Sequence, residues 1–64
     1  MKKYTFTCPI EGCDIVMTRD GESDEEGVQV LSNMAQQHLR EVHPDVHKTR
    51  EEVERDISSH MVIS

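Results

Sequence analysis

The chain has 64 residues, a length that makes one domain and at which a single apolar core leaves little net stability. Apolar residues make up 34% of it and its only aromatic residues are one Tyr and one Phe, so packing alone is expected to be insufficient and some additional cross-link is predicted. The formal net charge of −6 disfavours nonspecific binding to nucleic acid, because a phosphate backbone attracts basic surfaces. The sequence has no apolar run long enough to predict a membrane span.

The first predicted elements are two short strands joined by a turn. Residues 3–7 alternate polar and aromatic side chains, and residues 15–18 are mostly β-branched, which together predict a β-hairpin over residues 3–18. The turn contains two cysteines and two turn-forming residues, namely Cys8, Pro9, Gly12 and Cys13. In such a turn the two sulfurs are expected to point at the same spot, as in a metal-binding knuckle.

A long first helix is predicted after an acidic loop. Residues 19–27 are polar and acidic and predict the loop, while Ser23 and Glu26 fit a capping box that places the helix over residues 24–43, or one turn later if Gly27 frays it. Pro44 disfavours the α conformation at His43 and therefore predicts the helix end. One face of this helix carries an apolar stripe that is expected to cover the hairpin: Val28, Leu31, Ala35, His38, Leu39 and Val42.

A second helix is predicted over residues 49–60. Thr49 and Glu52 fit another capping box, and Val53 and Ile57 form a narrow apolar face among mixed charges, so light docking on the rest of the domain is expected. Residues 61–64 are expected to fray, and His60 to face solvent. The sequence as a whole therefore predicts one small α+β zinc-stabilised domain over residues 1–64, with ββαα order.

Four residues have the chemistry of a structural zinc site. Cys8 and Cys13 lie in the turn and His38 and His43 at the end of the first helix, and zinc accepts thiolate and imidazole ligands in tetrahedral geometry. One Zn²⁺ bound by these four would join elements that lack a large core, and structural zinc in finger peptides contributes on the order of 10 to 16 kcal/mol apparent at neutral pH.

The spacing is Cys-x4-Cys-x24-His-x4-His, whose central segment is about twice the usual twelve residues of a two-Cys, two-His finger. We expect the acidic loop and the start of the long helix to contain the extra residues. Five residues along an ideal helix turn the second His by about 140°, so the chain must leave the helix for His43 to face the metal. The break at Pro44 makes that possible, although His47 is an alternative fourth ligand.

The cysteines have two other interpretations. They are either small buried hydrophobes or partners in a disulfide. No secretory signal is recognisable after Met1, so a reducing, cytoplasmic location is expected, and it favours metal ligation over a disulfide.

Phe6, Cys8, Cys13 and Met17, followed by a helix with two His, resemble the ββα zinc finger of the two-Cys, two-His type, with Met17 where an aromatic residue is usual. A second set of features covers nearly the whole chain: a Lys-Lys-aromatic start, the step Gly12-Cys13-Asp14, the acidic loop, the segment 38–43 and the short charged C-terminal helix. In these features the chain resembles the predicted small metal-binding proteins of archaea and bacteria, an uncharacterised family. The resemblance implies metal binding and no established activity.

The predicted function is a small intracellular zinc-binding protein in which structural zinc supports a protein-interaction module, with the acidic residues 20–26 facing a basic partner. The alternative is a nucleic-acid-binding finger. In such a finger the base-contacting positions fall on Leu31, Met34 and Gln37, of which only Gln37 is suited to reading a base edge. An enzyme is not expected, because four strong ligands leave no position for a water molecule and the segment 38–43 lacks the His-Glu-x-x-His order.

Overall fold

The computed structural model covers residues 1–64 and contains three strands and two helices. Their bounds in chain order are β1 Lys2–Thr7, β2 Val16–Gly21, α1 Asp24–Val42, α2 Arg50–His60 and β3 Val62–Ile63. The three strands form one antiparallel sheet in the order β2-β1-β3, with Phe6 opposite Met17 across the hairpin. The predicted small α+β fold with a Cys turn, a long helix and a short second helix is confirmed, and the structure adds the third strand.

The loop between β2 and α1 is shorter than the acidic loop predicted from the sequence. Strand β2 continues to Gly21 because its backbone keeps pairing with β1 as far as Lys2, and α1 begins at Asp24, so only Glu22 and Ser23 link them. The Ser23 hydroxyl accepts a hydrogen bond of 3.2 Å from the backbone N–H of Glu26, which fixes the helix start. The loop predicted over residues 19–27 is therefore divided between a strand end and a first helical turn.

The expectation that residues 61–64 fray is wrong. Residues 62–63 form β3, which pairs with β1 opposite Tyr4 and Thr5. Two further backbone hydrogen bonds of 2.9 Å link Lys3 and Ser64 in both directions. The C-terminal segment thus completes the sheet.

The core lies between the sheet and the two helices. Gly27 lets α1 lie directly against the Tyr4 ring, because a Cβ at this position would lie 2.6, 2.7 and 2.8 Å from three atoms of that ring. The Tyr4 hydroxyl donates a 2.9 Å hydrogen bond to Asp24 on the same helix. The buried members of the core are Tyr4, Phe6, Met17, Leu31, Ala35, Val53 and Ile57.

The second helix docks more firmly than its narrow apolar face predicted. Val53 and Ile57 are 3% and 0% exposed and belong to the central core. Arg50 also joins the helices, since its guanidinium donates to three side chains of α1 and to Glu54 of its own helix, at distances of 2.6 to 3.0 Å. The three acceptors on α1 are Gln29, Asn33 and Gln36. The predicted capping box at Thr49 and Glu52 is present.

Candidate metal centre

The turn between β1 and β2 places both cysteine sulfurs on the helix side of the sheet. The Cys8 N–H still bonds the Ile15 carbonyl at 2.9 Å, which continues the hairpin ladder. A tight turn then follows, closed by the bond of 3.0 Å from Cys13 N–H to the Ile10 carbonyl, with Gly12 at φ +84°. Because only Gly adopts that φ without strain, the turn reverses sharply enough to bring Cys13 back beside Cys8.

The C-terminal end of α1 brings the two histidines to the same place. His38 lies within the helix, whereas His43 caps it with φ −124° and ψ 61°, outside the α region that the following Pro44 disfavours. The His43 N–H bonds the Leu39 carbonyl, and the His43 carbonyl accepts a bond from Val46, so a turn fixes the chain after the break. This departure from the helix leaves the two imidazole rings edge to face with centroids 5.0 Å apart.

Ligand atoms of Cys8, Cys13, His38 and His43 all lie within 4.8 Å of one another. Each histidine presents Nε2 to one sulfur, at 3.4 Å for Cys13 and His38 and 3.9 Å for Cys8 and His43. In a tetrahedral zinc site with Zn–S of about 2.3 Å and Zn–N of about 2.0 to 2.1 Å, the sulfur-to-nitrogen separation is about 3.6 Å. The geometry of these residues is therefore compatible with a bound metal ion.

Cys8 is the most enclosed member of the group. Its residue is 5% exposed, and burial raises the pKa of its thiol, with a further increase from the neighbouring Cys13, while a backbone hydrogen bond from Ile10 and the charge of Lys48 act in the opposite direction. A buried thiolate needs a compensating cation, and a divalent metal ion at this point would supply it. Cys13, His38 and His43 are partly exposed, so the site opens to solvent on their side.

The other two histidines lie apart from this group. His47 lines a neighbouring surface groove, and His60 is exposed at the end of α2. Both cysteines are free thiols, so the structure contains no disulfide between them. The sequence predicts neither the groove nor its lining, because the lining residues have no spacing in common and meet only through the turn after His43.

Comparison with known proteins identifies no similar protein. The sequence matches no family model, and no curated protein or solved structure is significantly similar to it. No helix in the structure combines the length and the apolar composition that crossing a bilayer requires.

Proposed function

We propose that the chain is a zinc-binding protein in which one structural Zn²⁺, held by Cys8, Cys13, His38 and His43, stabilises the fold. The observation that carries the proposal is the convergence of two sulfurs and two imidazole nitrogens within 4.8 Å, from a turn and a helix end far apart in sequence. Two sulfur and two nitrogen ligand atoms, at distances that fit a tetrahedral site, favour zinc over the harder metals, which prefer oxygen ligands. The same ligand pattern supports kinship with the small metal-binding proteins that the chain resembles.

Metal content and folding test this proposal together. Untagged protein is expected to contain one zinc per chain by elemental mass spectrometry, and circular dichroism is expected to show loss of structure when EDTA removes the metal. A folded, metal-free chain would overturn the proposal. A different metal at one per chain would retain the site and correct only the identity of the ion.

The histidines provide a matched pair of variants. His43→Ala is expected to lose zinc, because it removes a ligand, whereas His47→Ala is expected to keep it, because His47 lies outside the group. Retention of zinc in the first variant with loss in the second would mean that His47 is the fourth ligand. Cys13→Ser is expected to be largely unfolded at neutral pH.

We further propose that this zinc-stabilised domain is a non-enzymatic, cytoplasmic protein-interaction module. Four protein ligands fill a tetrahedral site and leave no position for a reacting water. Glu22, Glu25 and Glu26 are exposed and make no ion pair, whereas Asp24 is 3.8 Å from Lys2, so an acidic patch remains for a basic partner. The probe for a basic partner is an Arg- and Lys-rich peptide. Adding it is expected to shift the nuclear magnetic resonance signals of residues 20–26. Loss of these shifts in the variant Glu22→Gln/Glu25→Gln/Glu26→Gln would support the interaction with a basic partner. The triple variant is expected to retain its zinc, and the absence of shifts at low salt would refute the basic partner.

The alternative, nucleic-acid binding, has weaker support. Leu31 is fully buried, Met34 packs against the core, and Gln37 donates a hydrogen bond to Glu41, so the face of α1 that would read bases is largely occupied. Most of the basic side chains near α2 are also neutralised. The pairs are Lys48–Asp56 at 2.7 Å, Arg50–Glu54 at 2.9 Å and Arg55–Glu51 at 3.7 Å.

A further inference from the structure

A surface groove lies beside the metal centre, between the end of α1 and the segment that leads into α2. It encloses about 470 Å³, within the range of about 300 to 1,000 Å³ typical of small-molecule sites. Its lining includes three residues with cationic or imidazole side chains, Arg40, His47 and Lys48, and no Asp or Glu. Lys48 is paired with Asp56, so Arg40 is the cation of the groove that has no ion pair, in a chain with 13 acidic and 7 basic residues.

The three side chains differ in how much of their hydrogen-bonding capacity is already used. Arg40 is exposed and makes no ion pair, so its planar guanidinium is available for a bidentate contact. Lys48 donates to Asp56 at 2.7 Å, and an ammonium group has two further donors. His47 is exposed on the same groove. Together the three side chains offer more hydrogen-bond donors than the two oxygens of a carboxylate can use. A phosphate monoester, with three terminal oxygens and nearly two negative charges, matches these donors better.

The rest of the groove wall is mixed, with the apolar side chains of Leu39, Pro44 and Val46 beside the polar Gln36 and Thr49. The volume leaves room for more than a phosphate group. We propose that this groove binds a small molecule consisting of a phosphate monoester on an apolar or aromatic body, with Arg40 as its main contact. The proposal goes beyond the structural metal site, because it assigns a ligand to a surface that the zinc ligands do not form.

Phenyl phosphate is a suitable probe, since it joins the two chemical features in one small molecule. It is added to zinc-loaded protein while amide resonances are followed by nuclear magnetic resonance, and metal content is measured afterwards to exclude removal of zinc by phosphate. Saturable shifts confined to residues 36–49 are expected. Inorganic phosphate and phenol, each carrying one of the two features, are expected to bind at least about tenfold more weakly.

The matched variants are Arg40→Gln and Arg19→Gln, which change the net charge equally. Arg19 lies on β2 away from the groove, and its guanidinium donates a hydrogen bond to the Thr18 carbonyl and makes no ion pair. Arg40→Gln is expected to weaken phenyl phosphate binding by at least about tenfold and Arg40→Lys by less, because lysine keeps the charge but loses the bidentate fork. No saturable shift in the wild type, or equal losses in the Arg19 and Arg40 variants, would overturn the proposal.

Discussion

Replacing Gly27 with Ala tests how closely α1 must approach the sheet. The added Cβ would lie 2.6 to 2.8 Å from Cγ, Cδ1 and Cδ2 of Tyr4, closer than such atoms approach in proteins. The ring cannot easily move, because Tyr4 is 0% exposed and its hydroxyl is bonded to Asp24. Overpacking of this kind costs about 1 to 3 kcal/mol, and the rigid surroundings place this case at the upper end, about 3 kcal/mol.

One opposing effect reduces that cost. Alanine is more favourable than glycine within a helix by about 1 kcal/mol, so the free energy of unfolding is expected to fall by about 2 kcal/mol in total. For a domain of this size, that corresponds to a decrease of roughly 8 to 16 °C in the melting temperature. Urea unfolding and thermal scans at a fixed excess of free zinc would measure both quantities, because metal binding itself shifts the apparent stability.

A double-mutant cycle between Gly27 and Tyr4 tests whether contact with the tyrosine ring causes the loss of stability. In a Tyr4→Leu background the ring is absent, so Gly27→Ala is expected to cost much less or to become stabilising. Gly12→Ala is a useful comparison, since its Cβ would meet nothing within 4 Å and its cost would come from φ +84° alone, independent of Tyr4. If Gly27→Ala were as stable as the wild type, or equally costly in both backgrounds, the argument from close contact would be wrong.

Three further predictions concern other parts of the fold. Ser32→Ala is expected to leave stability unchanged or raise it by about 1 kcal/mol in denaturant unfolding, because the buried Ser32 hydroxyl has no hydrogen-bond partner, and clear destabilisation would contradict this. Thr49→Ala is expected to lower the free energy of unfolding by about 1 kcal/mol through loss of the α2 cap, and an unchanged urea midpoint would refute a role for that cap. Burial, with the hydrogen bond to Asp24, raises the pKa of Tyr4 above its ordinary 10.0. Protonated Tyr4 therefore stabilises the folded state fully below pH 10.0, and this stabilisation is lost as the pH rises through the higher pKa of the folded protein. Because the chain has one Tyr, ultraviolet titration of tyrosinate reports this group alone, and a midpoint at or below 10.0 in the folded protein would contradict the prediction.

The elements that could be predicted from the sequence are those fixed by local chemistry. Ser23 and Thr49 begin the two helices through their own side chains, and Pro44 ends the first helix through its effect on His43. The pairing of β1 with β2 follows from the alternation of residues 3–7 and the β-branched residues among 15–18, with turn-forming residues between them. The candidate ligands are recognisable because two thiols and two imidazoles match the ligand set of structural zinc sites, and the structure brings all four together.

The features that escape prediction depend on contacts between distant residues. By sequence alone Gly27 is a residue that weakens the helix start, and its role is visible only once Tyr4 lies against it. Residues 62–63 carry too little sequence signal to indicate a strand, and they become one because β1 offers an open edge. The burial of Val53 and Ile57 likewise depends on how α2 is turned against α1, which a narrow apolar face alone does not determine.

The bonds between Lys3 and Ser64 make the backbone nearly circular in space. A short linker from residue 64 to residue 1 is therefore geometrically reasonable, and the chain could be opened instead in the turn between Cys8 and Cys13. In such a circular permutant the two thiols would belong to opposite ends of the polypeptide. A metal ion bound there would then cross-link the new N- and C-terminal segments, and its removal would free both segments at once.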